Sequence, residues 1–146
     1  MKLDKRRIEK YLDEIALETL DVKSILGKTD NEILKDKHIL KSLKYSTIVI
    51  AEAIASALQH ILAKRYNTVV DGYMDVFTKS MICSLLPEEL LERLKPFIVF
   101  RNMLLHQYWK VKDEIFLNNM RNGIKDFRDF TINIRNHLND VVHDDS

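Results

Sequence analysis

Apolar residues return at a helical period along almost the whole chain. Ile8, Tyr11, Leu12, Ile15, Thr19 and Val22 fall on one stripe of a 3.6-residue repeat, which predicts a first helix from about Asp4 to Leu26, ended by Gly27. Thr29 or Asp30 offers the short side-chain oxygen that caps a second helix. Leu40, Leu43, Ile50, Ile54, Leu58 and Ile61 form its apolar face as far as about Arg65, with a bend or break expected near Lys35–His38. Val69 to Gly72 reads as a connection, and Tyr73, Val76, Phe77, Met81 and Leu85 as a short third helix. Pro87 suits the first turn of a fourth helix. Pro96 lacks a backbone donor and disfavours a helical residue before it, so a kink or restart is expected over about Pro96–Leu105. Asp113 is expected to cap a long last helix carrying Phe116, Met120, Phe127, Phe130, Ile134 and Leu138, with a frayed tail over Val141–Ser146. No repeat, low-complexity stretch or linker interrupts the pattern. The expectation is a single all-α domain over residues 1–146, an antiparallel bundle of four or five helices.

Composition narrows this picture. At 46% hydrophobic and 31% charged residues the chain is globular, and only 3 Gly and 2 Pro argue for long helices over many short strands. The single cysteine, Cys83, excludes an internal disulfide and fits a reducing interior; among Met81, Ile82 and Leu85 it reads as a small buried hydrophobe. No apolar run approaches the ~18 residues of a membrane span. The basic N-terminus has no apolar stretch behind it, so it does not read as a signal peptide. A cytoplasmic protein without a membrane partner is expected. A formal net charge of +1 argues against stable binding of nucleic acid by the whole surface, so any such role must rest on a local site.

One octapeptide offers such a site: Arg101-Asn102-Met103-Leu104-Leu105-His106-Gln107-Tyr108. His106 carries an imidazole that can serve as a general acid or base, although a lone histidine is more often structural. Arg101 can grip a phosphate through its planar fork of donors and stabilise charge that builds on it, or serve as an ordinary ion-pair partner. Asn102 can hydrogen-bond a phosphate or ribose oxygen but transfers no protons. Tyr108 and Trp109 read first as packing or interface aromatics, and Tyr108 also presents a phenol open to modification. Glu52, a lone carboxylate in the apolar stretch Val49–Ile54, is either solvated or orients Arg101 from a neighbouring helix. On an unbroken helix Arg101 and His106 would stand about 140° apart. The helix therefore has to end near His106, the arginine has to reach around, or two copies have to meet across a two-fold axis. His38, His60, His137, His143 and Cys83 show no metal-ligand spacing, and no glycine-rich phosphate loop is present, so neither a metal centre nor a cofactor is expected.

The order R-x-x-x-x-H-x-Y in Arg101–Tyr108 resembles the signature of HepT-type toxins, a branch of the HEPN helical ribonucleases. With eight arginines and five each of histidine and tyrosine in 146 residues, about 0.01 matches are expected by chance. The resemblance covers most of the chain: helical throughout, with the motif just before the last long helix. Ala51-Glu52-Ala53 is similar to the family's upstream glutamate-bearing helix. The resemblance implies a HEPN-like fold and a homodimeric endoribonuclease toxin that cleaves RNA without a metal. Arg101 and His106 would be the catalytic pair and Asn102 a supporting residue. Tyr108 would be where an MNT-type nucleotidyltransferase antitoxin attaches AMP. Two other readings stay open: a non-catalytic HEPN module that binds nucleotide or RNA beside a nucleotidyltransferase, and a helical dimer scaffold whose Arg101–Tyr108 segment seals the interface.

Overall fold

Six α-helices and one 3-10 turn follow the apolar pattern: α1 (Lys5–Leu26), α2 (Asp30–Lys35), α3 (Lys37–Arg65), α4 (Tyr73–Ile82), α5 (Glu88–His106), the turn Tyr108–Lys110, and α6 (Asp113–Asp145). They belong to a computed structural model that describes residues 2–145, with side chains through residue 140. Where a frayed tail was expected from Val141, α6 continues to Asp145; Ser146 and the side chains of residues 141–145, His143 included, lie outside what is described.

Local chemistry sets most boundaries. The Asp4 carboxylate accepts the Arg7 N–H at the start of α1, and the Asp4 N–H donates to His60 Nε2 at 3.0 Å, tying that start to the far end of α3. His60 is buried, and burial first, then the Arg7 charge, pushes its pKa down. Thr29 and Glu32 close a reciprocal capping box on α2. The expected break falls on Asp36, whose extended backbone ends α2 while its carboxylate accepts the N–H groups of His38 and Ile39 to open α3.

Five expectations need correction. The third helix stops at Ile82, because Ser84 turns into the left-handed region (φ 52°) and the Leu85 N–H bonds back to the Ser80 carbonyl. Leu85 is thus buried from a helix-terminal turn. Pro87 is the N-cap of α5, one residue before its first turn. No restart occurs at Pro96; α5 runs through it. Proline removes one intrahelical bond there, and the carbonyl it would have served belongs to exposed Glu92, where water can replace it. Asp113 is the first residue of α6 rather than its cap. Its carboxylate is turned to Lys44 at 2.7 Å instead. Cys83 is only half-buried, packed against the core edge.

The four long helices form a closed ring in which α1 packs on α3 and α6, and α5 packs on α3 and α6. Contacts fix the directions. Arg135–Glu9 and Arg121–Leu26 set α6 antiparallel to α1, Arg93–Asp126 and Phe100–Phe116 set it antiparallel to α5, and Lys44–Tyr108 with Glu52–Arg101 set α5 antiparallel to α3. The diagonal pair α3 and α6 is parallel, as Lys44–Asp113 and Thr47–Met120 show. α3 is the centre: no residue from Ser46 to Leu58 is exposed. By length and composition it is apolar enough to cross a bilayer, more than the sequence reading allowed, but 67% of its most apolar window is buried among the other helices. That is the profile of a core helix.

The α5–α6 seam is set by one glycine. Phe97 lies edge-on to Phe127, with ring centroids 4.8 Å apart, and its ring occupies the place where a Cβ on Gly123 would stand. Helix propensity favours alanine at such a position by about 1 kcal/mol, but overpacking a filled core costs about 1–3 kcal/mol. Gly123→Ala should therefore destabilise the protein in urea unfolding, and Phe97→Leu in the same chain should recover part of the loss. A Gly123→Ala protein more stable than wild type would contradict this packing.

Candidate active site

The octapeptide straddles the end of α5. His106 is the last helical residue, Gln107 leaves the helical region (φ −144°, ψ 50°), and Tyr108–Lys110 form the 3-10 turn that leads to α6. The helix ends just after His106, so Arg101 and His106 stay about 140° apart on one unbroken helix, and of the three solutions a break between them is not the one realised. The helix end carries Tyr108 off the helical axis, so its phenol no longer overlies Arg101.

Arg101 points into the protein. Its Nε and Nη2 donate to Glu52 Oε1 at 3.3 and 3.0 Å, its Nη1 donates to Asn102 Oδ1 at 3.0 Å, and the guanidinium lies 3.9 Å from the centre of the Tyr73 ring. Only 13% of the side chain is exposed, against 42% for Glu52. Such a cation needs a partner, because leaving water unpaired would cost several kcal/mol. Glu52 supplies the opposite charge, and Tyr73 supplies a polarisable face. The orienting role suggested for Glu52 matches this geometry. Two of the five guanidinium N–H groups remain for a further acceptor.

His106 is exposed, and its imidazole makes no hydrogen bond among the described residues. It is not joined to Arg101 within one chain. An exposed imidazole and a largely buried, paired guanidinium thus sit about 1.4 helical turns apart along α5.

Tyr108 belongs to a second cluster that the sequence reading missed. Lys44 Nζ donates to the Tyr108 hydroxyl at 3.2 Å, stands 4.5 Å from the ring centre, and pairs with Asp113 at 2.7 Å. Burial opposes the charge on Lys44, but the hydrogen bonds to Asp113 and Tyr108 outweigh it and hold the ammonium above the ordinary lysine range. One signal was available: Lys44 lies four residues from Leu40, on the predicted apolar stripe of α3. Tyr73 gave none, since its spacing read simply as core.

The remaining histidines are elsewhere. His38 is exposed at the start of α3, and His137 is half-buried against Tyr66, its pKa pushed down by burial and then by the Arg65 charge. Among the described residues no group of three or more His, Cys, Asp or Glu side chains is placed to hold a metal ion. Around the motif, Tyr45, Val99, Leu105, Trp109 and Ile115 are exposed apolar residues, Trp109 at 78%.

A closed ring of four long helices with a polar, partly buried arginine site at one helix end defines the class: an all-α antiparallel bundle. The HepT-like ribonuclease family model matches residues 7–134, and the chain belongs to that family. Solved structures share the fold. A tri-AMPylated HEPN toxin from Shewanella oneidensis in complex with MNT antitoxin superposes with a TM-score of 0.82 at 19% identity, over 88% of this chain and 96% of that one. A toxin–antitoxin structure with AMP-PNP gives 0.80 at 20% identity, over 89% and 98%. YutE of Bacillus subtilis, a cytosolic protein of unknown function, gives 0.80 at 19% identity, over 93% and 91%. No curated protein matches the sequence.

Glu52→Gln keeps the shape but removes the countercharge of Arg101. Because Glu52 is partly solvated, the expected loss is about 1 kcal/mol, a drop of a few degrees in Tm. An unchanged thermal melt would show that the ion pair does not hold Arg101 in place.

Proposed function

We propose that this protein is a HepT-like endoribonuclease toxin that acts as a homodimer, with Arg101 and His106 as its catalytic pair. The observation that carries this reading is the division of labour at the end of α5: an arginine held inside by Glu52, Asn102 and Tyr73, and a histidine left open at the helix terminus. Charge stabilisation needs a fixed donor, whereas proton transfer needs access to the substrate. Family membership supplies the reaction class.

In this mechanism His106 moves the proton between the ribose 2′-hydroxyl and the leaving 5′-oxygen. Arg101 offers its remaining N–H groups to the phosphate as charge builds, with Asn102 in support. The 2′-oxygen bonds to phosphorus, the bond to the 5′-oxygen breaks, and a 2′,3′-cyclic phosphate remains. DNA lacks that nucleophile and should resist. The exposed apolar residues flanking the motif fit a surface covered by a second copy, which would bring two motifs to one cleft and raise its local positive charge.

Regulation follows the same pattern. An MNT-type nucleotidyltransferase antitoxin would attach AMP to Tyr108, and the added negative charge beside the cleft would repel the RNA backbone. A toxin of this fold occurs, tri-AMPylated, in complex with MNT antitoxin, which supports a partner of that kind, and a cytosolic protein of the same fold supports a cytoplasmic setting.

A second reading has its own support. Three of the Arg101 N–H groups are already engaged within the chain, as expected of a HEPN module that binds nucleotide or RNA without cutting it.

His106→Ala should fold and assemble like wild type yet lose at least about a hundredfold in cleavage of single-stranded RNA, the size of a general acid–base contribution. Equal cleavage by both proteins would remove the catalytic assignment. Tyr108→Phe should keep its unmodified mass when incubated with ATP and an MNT-type nucleotidyltransferase, while wild type gains AMP. A mass gain in the variant would place the modification on another residue.

A further inference from the structure

Lys44 is a buried cation that the proposed cleavage reaction does not use. Its side chain, 8% exposed, reaches from α3 to the turn after α5 and stops between two oxygens, the Asp113 carboxylate and the Tyr108 hydroxyl. Tyr108 is 47% exposed while its hydroxyl accepts from Lys44, so the residue is gripped from the protein side and open to solvent. The approach is specific: the ammonium donates to the phenol oxygen at 3.2 Å and also lies 4.5 Å from the ring centre.

We propose that Lys44 is a positioning residue for nucleotidylation of Tyr108, holding the phenol oxygen for attack and pairing with the phosphate once it is attached. This rests on the reading of Tyr108 as the modified residue. In the transfer, Tyr108 Oη bonds to the α-phosphorus of ATP and the bond from that phosphorus to the α,β-bridging oxygen breaks. Pyrophosphate leaves with the electron pair, and the phenolic proton passes to a base on the nucleotidyltransferase. Negative charge develops on Oη as that proton departs, and a fixed ammonium at hydrogen-bond distance stabilises it without reorganisation. Because Lys44 already occupies one acceptor site on the oxygen, the free lone pair is aimed outward at the incoming phosphorus. In the product, the non-bridging oxygens on the phosphorus joined to Oη stand within reach of the same ammonium, which then pairs with an anion instead of an uncharged phenol. The modified tyrosine is thereby latched to α3, which fixes the turn beside His106.

The test is a time course of intact mass for the full-length wild type, Lys44→Met and Lys44→Arg, each incubated with ATP and an MNT-type nucleotidyltransferase. Wild type should gain AMP, Lys44→Met should gain it at least about tenfold more slowly, and Lys44→Arg, which keeps a cation, should recover most of the rate. If wild type is modified and Lys44→Met keeps pace, or if Lys44→Arg is as slow as Lys44→Met, the role of Lys44 is refuted while Tyr108 stands. If wild type gains no mass, the reading of Tyr108 falls and takes this one with it. A measurement on modified wild type guards against a variant that fails to fold. In its crystal structure Lys44 Nζ should lie within about 3 Å of a non-bridging phosphate oxygen. A Lys44 still bonded to Asp113 alone would overturn the latch.

Discussion

α3 is apolar on nearly every side, and the rest of the molecule is arranged to cover it. A helix with no exposed residue from Ser46 to Leu58 cannot rest on one neighbour, because any uncovered face would leave apolar surface in water. Helices α1 and α5 flank it, α2 and α4 pack against its ends and side, and α6 closes the ring across the diagonal. Covering α3 also takes the Lys44 side chain out of water and leaves that of Glu52 partly solvated. Lys44 and Glu52, eight residues and about 12 Å apart along the axis, both find their partners on the segment that runs from α5 into α6.

That demand organises the site. Glu52 meets Arg101 on α5, and Lys44 meets Tyr108 and Asp113 where α5 gives way to α6. The two ion pairs clamp the octapeptide at both ends. Between them the chain leaves its helix at His106, which stays exposed and unpartnered among the described residues. A restrained cation on one side, a free imidazole in the middle and a gripped phenol on the other give three residues three different freedoms. Those freedoms match what charge stabilisation, proton transfer and covalent modification each require.

The α5–α6 seam keeps this arrangement in register. Phe97 fills the space left by Gly123, and Phe100 meets Phe116 edge to face at 5.3 Å. A side chain at position 123 would push the two helices apart just one turn below Arg101. Pro96 is accepted in the same helix because its missing bond faces water, so the local rule that predicted a restart gave way to packing. Asp113 shows the same override: a residue suited to capping is turned instead to a buried lysine, whose need for a countercharge outweighs a cap that water can replace.

Much of the fold was legible along the chain because helix ends are local events. Capping oxygens at Asp4, Thr29 and Asp36 act on amides two or three residues away, and the apolar stripes follow from the helical repeat itself. The motif and the break beside His106 were equally visible, since residue order and helix angle need no third dimension. The direction in which Arg101 points, the stacking of Tyr73 and the grip of Lys44 on Tyr108 were not. Those contacts join residues 49 and 64 positions apart in the Glu52 and Lys44 pairs. The sequence by itself determined the all-helical pattern, the family signature and a break in the chain close to His106. Only the tertiary structure decided which charges pair, because a buried cation takes whichever anion the opposite helix brings to it.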